Sequence, residues 1–256
     1  MVVTRSFYIT NNGMVSLMSI PCDATAVFKC RVNKFLGVVD ILTPEPMHDM
    51  EVHIHDPGRL TELLYPGNKV LLKSVHRSTR KTGWDVIAAH CNRYWVLVHS
   101  GYHRGIAKRI IEDEKLSPFG RVANIKPEVQ YGDSKFDFLV EKATGTEVWV
   151  EVKGCTLVVD GIAMFPDAPT QRGRRHLKLL SYMSENNLHT AVLILIFRPD
   201  ARCFAPNHHT DPKFADIFWY ALDVGVKVYP IVLEYVDAQI YYRGGLPICG
   251  RNKLHA

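Results

Sequence analysis

Between Thr25 and about Val98 the apolar residues fall in short, often alternating runs: TAVFKCRV, LGVVDI, EVHIH, NKVLLKSVH, WDVIAAH and RYWVLVH. Alternation sends successive side chains to opposite faces of an extended chain, so each run reads as a strand with one face to bury. Asn33, Pro44, Pro57-Gly58, Pro66-Gly67 and Gly83 punctuate the runs where the chain must turn. Short strands with close turn signals predict a small β-barrel, and an OB-like barrel is the preferred version.

Past Ser100-Gly101 the spacing changes. RGIAKRIIEDEKL carries apolar residues at helical intervals, whereas VANIKPEVQY, KFDFLVEK and EVWVEVKG return to strand-like text. The stretch from Thr170 to about Glu185 reads as a helix, HTAVLILIF as a buried strand and VKVYPIVLE as another strand. DPKFADIFWYALDVG reads as a helix with Pro212 near its start and Gly225 at its end. The expected organisation is an N-terminal extension over 1–20, the barrel over 21–99 and an α/β domain over 100–256, with no internal repeat. Met14 and Met18 stand just ahead of the first strongly patterned run, so the first seventeen residues read as a loose extension or a start-site artefact.

Composition narrows the class without deciding the function. The 256 residues are 47% hydrophobic and 22% charged, a globular balance with apolar material for one large or two modest cores. Thirty-one Lys and Arg against 26 Asp and Glu leave a net +5, too mild to demand a polyanionic partner by itself. No run has the apolar length of a membrane span, and the opening residues lack the apolar core of a signal peptide. A soluble, cytoplasmic protein with no membrane partner is expected. Six cysteines (Cys22, Cys30, Cys91, Cys155, Cys203, Cys249) form no Cys-x-x-Cys pair. That spacing spells neither a zinc ribbon nor a dense disulfide framework, and predicts reduced, mostly buried thiols.

The chemistry is concentrated between residues 137 and 153. In EVWVEVKG, Trp149, Glu151 and Lys153 share one face of a strand, and in the preceding strand Lys135, Asp137 and Leu139 do likewise. A hairpin through Ala143-Thr144-Gly145 would let Asp137 approach Glu151. Hard carboxylate oxygens hold Mg²⁺ or Mn²⁺, such a cation lowers the pKa of water, and a neighbouring Lys positions that water or stabilises phosphate charge. Phosphodiester hydrolysis is the reaction class this suits. On the Glu-x-Lys tripeptide alone, however, an ordinary cross-strand salt bridge is the better reading.

The wider text around the tripeptide decides the matter. YGDSKFDFLV, then VWVEVKGCTLVVDGIAMFPDAPTQRGRRHLKLL, resembles the central signature of the sugar fermentation stimulation protein (SfsA) family. The resemblance runs through Gly132, Asp137, Glu151, Lys153, the Phe165-Pro166-Asp167-Ala168 stretch, Thr170, Arg172, Gly173 and His176, and again through FRPDARCFAPNHHTDPKFA. It implies an OB-like N-terminal domain, a restriction-endonuclease-like PD-(D/E)xK domain and DNA binding, with Asp137, Glu151 and Lys153 as the catalytic residues. Glu128, in PEVQYG, matches the family's EVKYG and is a third candidate ligand beside Asp137 and Glu151; Glu112 and Glu114 are candidates for an acid from the first helix. Three departures stand out: Lys135 for the usual Arg, Gly154 for the usual Ser, and His55-Asp56-Pro57-Gly58-Arg59-Leu60 for a Pro-Asn-Thr-Gly-Ser-Met element.

Two basic stretches could meet a polyanion. Between Lys69 and Trp84 lie Lys73, Arg77, Arg80 and Lys81 with no acidic residue, ending in an aromatic ring. QRGRRHLK offers Arg172, Arg174, Arg175 and Lys178, the last three on an arc away from Leu177, Leu180 and Met183. His176 falls near the apolar arc, as a hydrogen-bonded core histidine would. The pairs His53/His55 and His208/His209 supply too few ligands to define a transition-metal site. The expected function is a metal-dependent nuclease acting on DNA, with RNA as an alternative substrate. A non-catalytic nucleic-acid-binding regulator linked to carbohydrate metabolism is the competing reading, and a homodimer is an open alternative to a monomer.

Overall fold

The computed structural model describes residues 14–75 and 81–250. They form two compact units. The first comprises the chain up to Gly101 together with 197–199 and 232–243, and the second comprises 102–196, 200–231 and the chain from Gly244. The chain thus changes unit beside Gly101, but two short C-terminal segments return to the first unit.

In the first unit the alternating runs become β2 (Ala24–Asn33), β3 (Leu36–Thr43), β4 (Met47–His53), β5 (Lys69–Ser74) and β6 (Trp84–Cys91). They pair in the order β4-β3-β2-β5-β6, and His53 on β4 pairs with Asp85 on β6. That rung closes five strands into the OB barrel, which leaves no open edge among them. Ala26, Phe28, Val39, Ile41, Val52, Val70, Leu72 and Val86 are buried inside, each contributing roughly 1.5–3 kcal/mol for a large side chain. β7 (Tyr94–Leu97) pairs with β6. Val15–Ser19, inside the stretch read as an extension, is a strand, β1; it pairs with β16 (Gln239–Gly245) from Val15↔Tyr242 to Ser19↔Gln239. Tyr235 anchors the same region, its hydroxyl donating to the Ile20 carbonyl at 2.7 Å.

The second unit contains α1 (His103–Glu112), β8 (Val122–Tyr131), β9 (Ser134–Lys142), β10 (Glu147–Cys155), β11 (Val158–Val159), β12 (Ile162–Phe165), α2 (Gln171–Glu185), β13 (His189–Ile196), β14 (Cys203–Pro206), α3 (Pro212–Asp223) and β15 (Lys227–Val236), whose last residues belong to the first unit. Strand order is β15-β13-β10-β9-β8, with β10 and β13 parallel and β8, β9 and β10 antiparallel; β11, β12 and β14 form a small separate sheet. β13 is buried from Thr190 to Ile196, as expected of a strand covered on both faces. α2 presents His176, Leu177, Leu180 and Met183 inward, at helical spacing, against Phe136, Val192, Ile194, Phe214 and Phe218. None of the described helices is long and apolar enough to cross a membrane.

The expectation of reduced, mostly buried thiols needs correction. Cys203 and Cys249 are joined in a disulfide; Cys22, Cys30, Cys91 and Cys155 are outside any disulfide, and Cys30 is exposed. β14 brings Cys203 beside the C-terminal segment, where the Cys249 amide donates to the Phe204 carbonyl at 2.8 Å.

Candidate functional site

The β9–β10 hairpin turns over 143–146. The Gly145 amide donates to the Lys142 carbonyl, and Gly145 takes φ +83°, a conformation that a side chain disfavours. That turn fixes the register at Val148↔Val140 and Val150↔Phe138. The next rung would set Glu151 across from Asp137. On the other side of β9, the rungs Pro127↔Phe138 and Val129↔Phe136 flank Glu128, so it too lies across from Asp137. Three carboxylate-bearing residues therefore fall on one line over three strands.

Pairing between β9 and β10 ends at Val150, and the amide two residues beyond would lose its strand partner. Asp137 supplies it: the Val152 N–H donates to Asp137 Oδ2 at 2.8 Å. This bond holds the half-buried Asp137 side chain at the start of the Glu151-Val152-Lys153 segment. Glu151 is 3% exposed. Its Oε1 accepts from Lys153 Nζ and from His176 Nδ1–H, the latter at 2.6 Å. Oε2 is enclosed and has no hydrogen-bond partner among the described residues. Leu177, Leu180, Val192, Ile194, Phe214 and Phe218 line the same pocket, so these charges sit in a medium that screens them poorly.

The two carboxylates respond in opposite directions. Burial, reinforced by the Glu151 charge, pushes Asp137 above the usual carboxylate range, against the opposing pull of the Val152 amide, Lys153 and Arg104. Burial also works to raise Glu151, but Lys153 and His176 together outweigh it and hold that carboxyl below its ordinary range. Of the two, Asp137 is the carboxyl that takes up a proton first as pH falls. A buried acceptor with no donor, next to a second carboxylate that resists ionisation, is the condition a divalent cation relieves. The donor set of Asp137 and Glu151 fits Mg²⁺ or Mn²⁺.

This shift has a measurable consequence. A carboxyl whose folded pKa is raised costs nothing below its unfolded pKa and destabilises the fold as pH climbs through the raised value. Asp137→Asn should therefore melt above the wild type in chelator at about pH 7.5, the gap closing toward about pH 4. Saturating Mn²⁺ should raise the melting temperature of the wild type alone. Melting curves across that range check both statements, and a variant no more stable than wild type at neutral pH contradicts the sign.

Glu128 departs from an ordinary strand residue. It takes φ +55°, rare for a side chain of this size, and its carboxylate pairs with Arg104 Nη1 at 2.7 Å; that ion pair holds its pKa down. The Arg104 charge also acts on Asp137, so α1 contributes a cation at this place rather than the acid sought there. Glu112 and Glu114 are exposed, Glu112 lying within 3.6 Å of Lys108 and 4.0 Å of Arg109 on its own helix. Gly154, next to Lys153, lies tight against His103: a Cβ there would stand 2.2 Å from His103 Cε1, so the ring would have to move.

The basic residues separate into two groups. Arg174, Arg175 and Lys178 line an open cleft of about 840 Å³ with Gln171, Lys213 and Tyr182. Arg174 is also 3.4 Å from Asp211, while Arg172 is exposed outside that lining. In the barrel Lys73 is half-buried on β5 and Lys81 is exposed; Arg77 and Arg80 lie outside the described residues. His176 is indeed a hydrogen-bonded core histidine, but its partner is Glu151, which no local spacing reveals.

Comparison with known proteins agrees with this architecture. The model described as "SfsA N-terminal OB domain" matches residues 30–98, and "Sugar fermentation stimulation protein RE domain" matches 101–239. A sugar fermentation stimulation protein homolog from Methanococcoides burtonii is 46% identical over 91% of this chain and 95% of its own length. One from Thermotoga neapolitana is 42% identical over 91% and 98%. Among solved structures, "The structure of Pyrococcus Furiosus SfsA in complex with Ca2+" superposes with a TM-score of 0.83 at 28% identity, covering 92% of this chain and 99% of that one. The matched residues take in most of the barrel, most of the α/β unit and the whole central motif, and the chain belongs to the sugar fermentation stimulation protein family.

Proposed function

We propose that the protein is a divalent-metal-dependent nuclease that hydrolyses phosphodiesters of DNA, with Asp137 and Glu151 as metal ligands, Glu128 as a third candidate ligand, and Lys153 at the reacting phosphate. The observation that carries the reading is the enclosed, partnerless Glu151 Oε2 beside an Asp137 whose pKa burial and the Glu151 charge raise. Mg²⁺ or Mn²⁺ held there would supply Lewis acidity and a water of lowered pKa. His176 fixes the Glu151 rotamer through Oε1 and leaves Oε2 without a hydrogen-bond partner, the oxygen that would ligate a cation. Lys153, on the same strand face as Glu151, places an ammonium where it can hold the attacking water or offset phosphate charge. A relative whose solved structure is described in complex with Ca²⁺ supports cation binding within this fold.

Incubation of the pure protein with labelled single-stranded DNA, duplex DNA and RNA, in Mg²⁺, Mn²⁺ or chelator, tests the proposal. Cation-dependent cleavage is expected. Binding without cleavage under every condition would replace it with the reading of a non-catalytic nucleic-acid-binding regulator.

The cleft beside α2 is assigned to the phosphate backbone. Arg174 is engaged by Asp211, so the exposed Arg175 and Lys178 are the better probes. Arg175→Glu/Lys178→Glu should weaken DNA binding on all sequences alike and reduce the dependence of log K on log salt by about 2, one per lost phosphate contact. Fluorescence anisotropy at several salt concentrations reads the slope, and an unchanged slope removes the cleft from the binding surface.

A further inference from the structure

A second cluster of metal-ligating side chains lies within the first unit, apart from Asp137 and Glu151 in the sequence and in kind. His55 follows β4, Asp85 sits on β6 at the rung that closes the barrel, and His99 follows β7. One ligand atom from each lies within 4.8 Å of the others. Asp85 Oδ2 is 3.1 Å from His55 Nε2 and 3.9 Å from His99 Nε2. Three donors around an ion bound at ~2.0–2.2 Å with tetrahedral angles are spaced by roughly 3.4 Å, between those two distances.

The cluster is held rather than incidental. Ser100 Oγ donates to the His55 carbonyl at 2.7 Å, which ties the segment after β7 to the one after β4. Arg31 Nη1 donates to the carbonyls of Gly58 and Arg59 and Nη2 to that of Asp56, so one guanidinium sets the loop that follows His55. The His55 and His99 rings stack with centroids 3.6 Å apart, and a Cβ on Gly101 would stand 2.9 Å from His99 Cε1. Asp85 is 6% exposed and His99 8%, whereas the His55 side chain is 27% exposed and marks the entry side. His55 Nε2 is itself enclosed, and although 3.1 Å from Asp85 it makes no hydrogen bond of acceptable geometry. Both rings bring Nε2 near one Asp85 oxygen, and to take tetrahedral positions about one ion they would splay apart from their 3.6 Å stacking.

We propose that His55, Asp85 and His99 bind a divalent transition-metal ion of the zinc class, with the remaining coordination position opening on the His55 side. Two nitrogens and one oxygen select Zn²⁺ or Co²⁺ over Mg²⁺ and Ca²⁺, which prefer oxygen shells. Three protein ligands leave one tetrahedral position for water or an exchangeable ligand. The inference does not depend on nuclease activity, because its residues lie outside the second unit.

The test uses full-length protein stripped with chelator, reloaded with Zn²⁺, passed through gel filtration and measured for metal content. The same is done with the Asp137→Asn/Glu151→Gln variant, which removes the other candidate ligands. One zinc per chain is expected in both. His55→Gln and His99→Gln should each weaken Zn²⁺ binding by about 100-fold or more, read by competition with a chromophoric chelator while circular dichroism reports the fold. X-ray absorption at the zinc edge of wild-type protein should show imidazole scattering from two histidines, a readout that stands even if His99→Gln does not fold. Folded wild type that retains no zinc, a sulfur-dominated edge pointing to the free cysteines, or undiminished affinity in a folded His55→Gln would overturn the proposal.

Discussion

Glu151→Gln is expected to abolish both Mn²⁺ binding and metal-dependent cleavage, with a loss on the order of 10³-fold or more in rate. The amide keeps the size of the side chain and one oxygen for His176 Nδ1–H, so the packing against Leu177 and Val192 should survive. It removes the negative charge that a cation and Lys153 both need. Asp137→Asn should match it in metal binding and cleavage while gaining stability in chelator. Lys153→Ala should behave differently, because it deletes an ammonium and no carboxylate: Mn²⁺ should still bind, about ten-fold tighter once Glu151 loses its competing cation, while cleavage falls about 10²–10³-fold. Calorimetry with Mn²⁺ beside the cleavage assay separates these patterns. Cleavage that persists in Glu151→Gln, or metal binding lost in Lys153→Ala, breaks the assignment of roles.

Much of this site was legible because it is local. Alternation placed Glu151 and Lys153 on one face, and a hairpin short enough to read from Ala143-Thr144-Gly145 fixed what stood opposite. The barrel strands were legible for the same reason, each run alternating between turn residues. What escaped depends on contacts remote in sequence. β14 (CFAP) and β12 (IAMF) are four residues each and exist because they pair with one another, too short for any period to show. β1 and β16 lie more than 200 residues apart and define each other. The Cys203–Cys249 bridge spans 46 residues, with no spacing to distinguish that pair from the other cysteines. His53 and His55 were visible as neighbours on a strand, but the cluster that forms uses His55 with Asp85 and His99, drawn together by barrel closure. His176 was readable as buried. Only the packing of α2 over β13, the parallel neighbour of β10, makes it a partner of Glu151.

Asp211→Ala should produce the largest loss of stability for a single side chain outside the apolar core, about 2–4 kcal/mol. Asp211 is 2% exposed and serves three groups at once. It caps α3 by accepting from the Phe214 amide at 3.0 Å, accepts from the Thr170 amide at 2.9 Å where α2 begins, and stands 3.4 Å from Arg174 Nη1. Loss of the cap alone costs ~1 kcal/mol. Breaking a buried ion pair costs ~3–5 kcal/mol when the survivor stays buried, and here the estimate is reduced because Arg174 is 23% exposed and can partly rehydrate. For a chain of this size the total corresponds to a melting temperature lower by roughly 5–10 °C. Asp211→Asn retains an oxygen for the cap and should recover about half of the loss. The effect should also reach the site: Asp211 ties the start of α2 to α3, and α2 carries His176, Arg174 and Arg175, so cleavage should fall with Mn²⁺ affinity reduced only modestly. Thermal and urea unfolding of both variants, with Mn²⁺ calorimetry alongside, gives the comparison, and an Asp211→Ala protein as stable as wild type would mean that the two helices are joined by apolar packing alone.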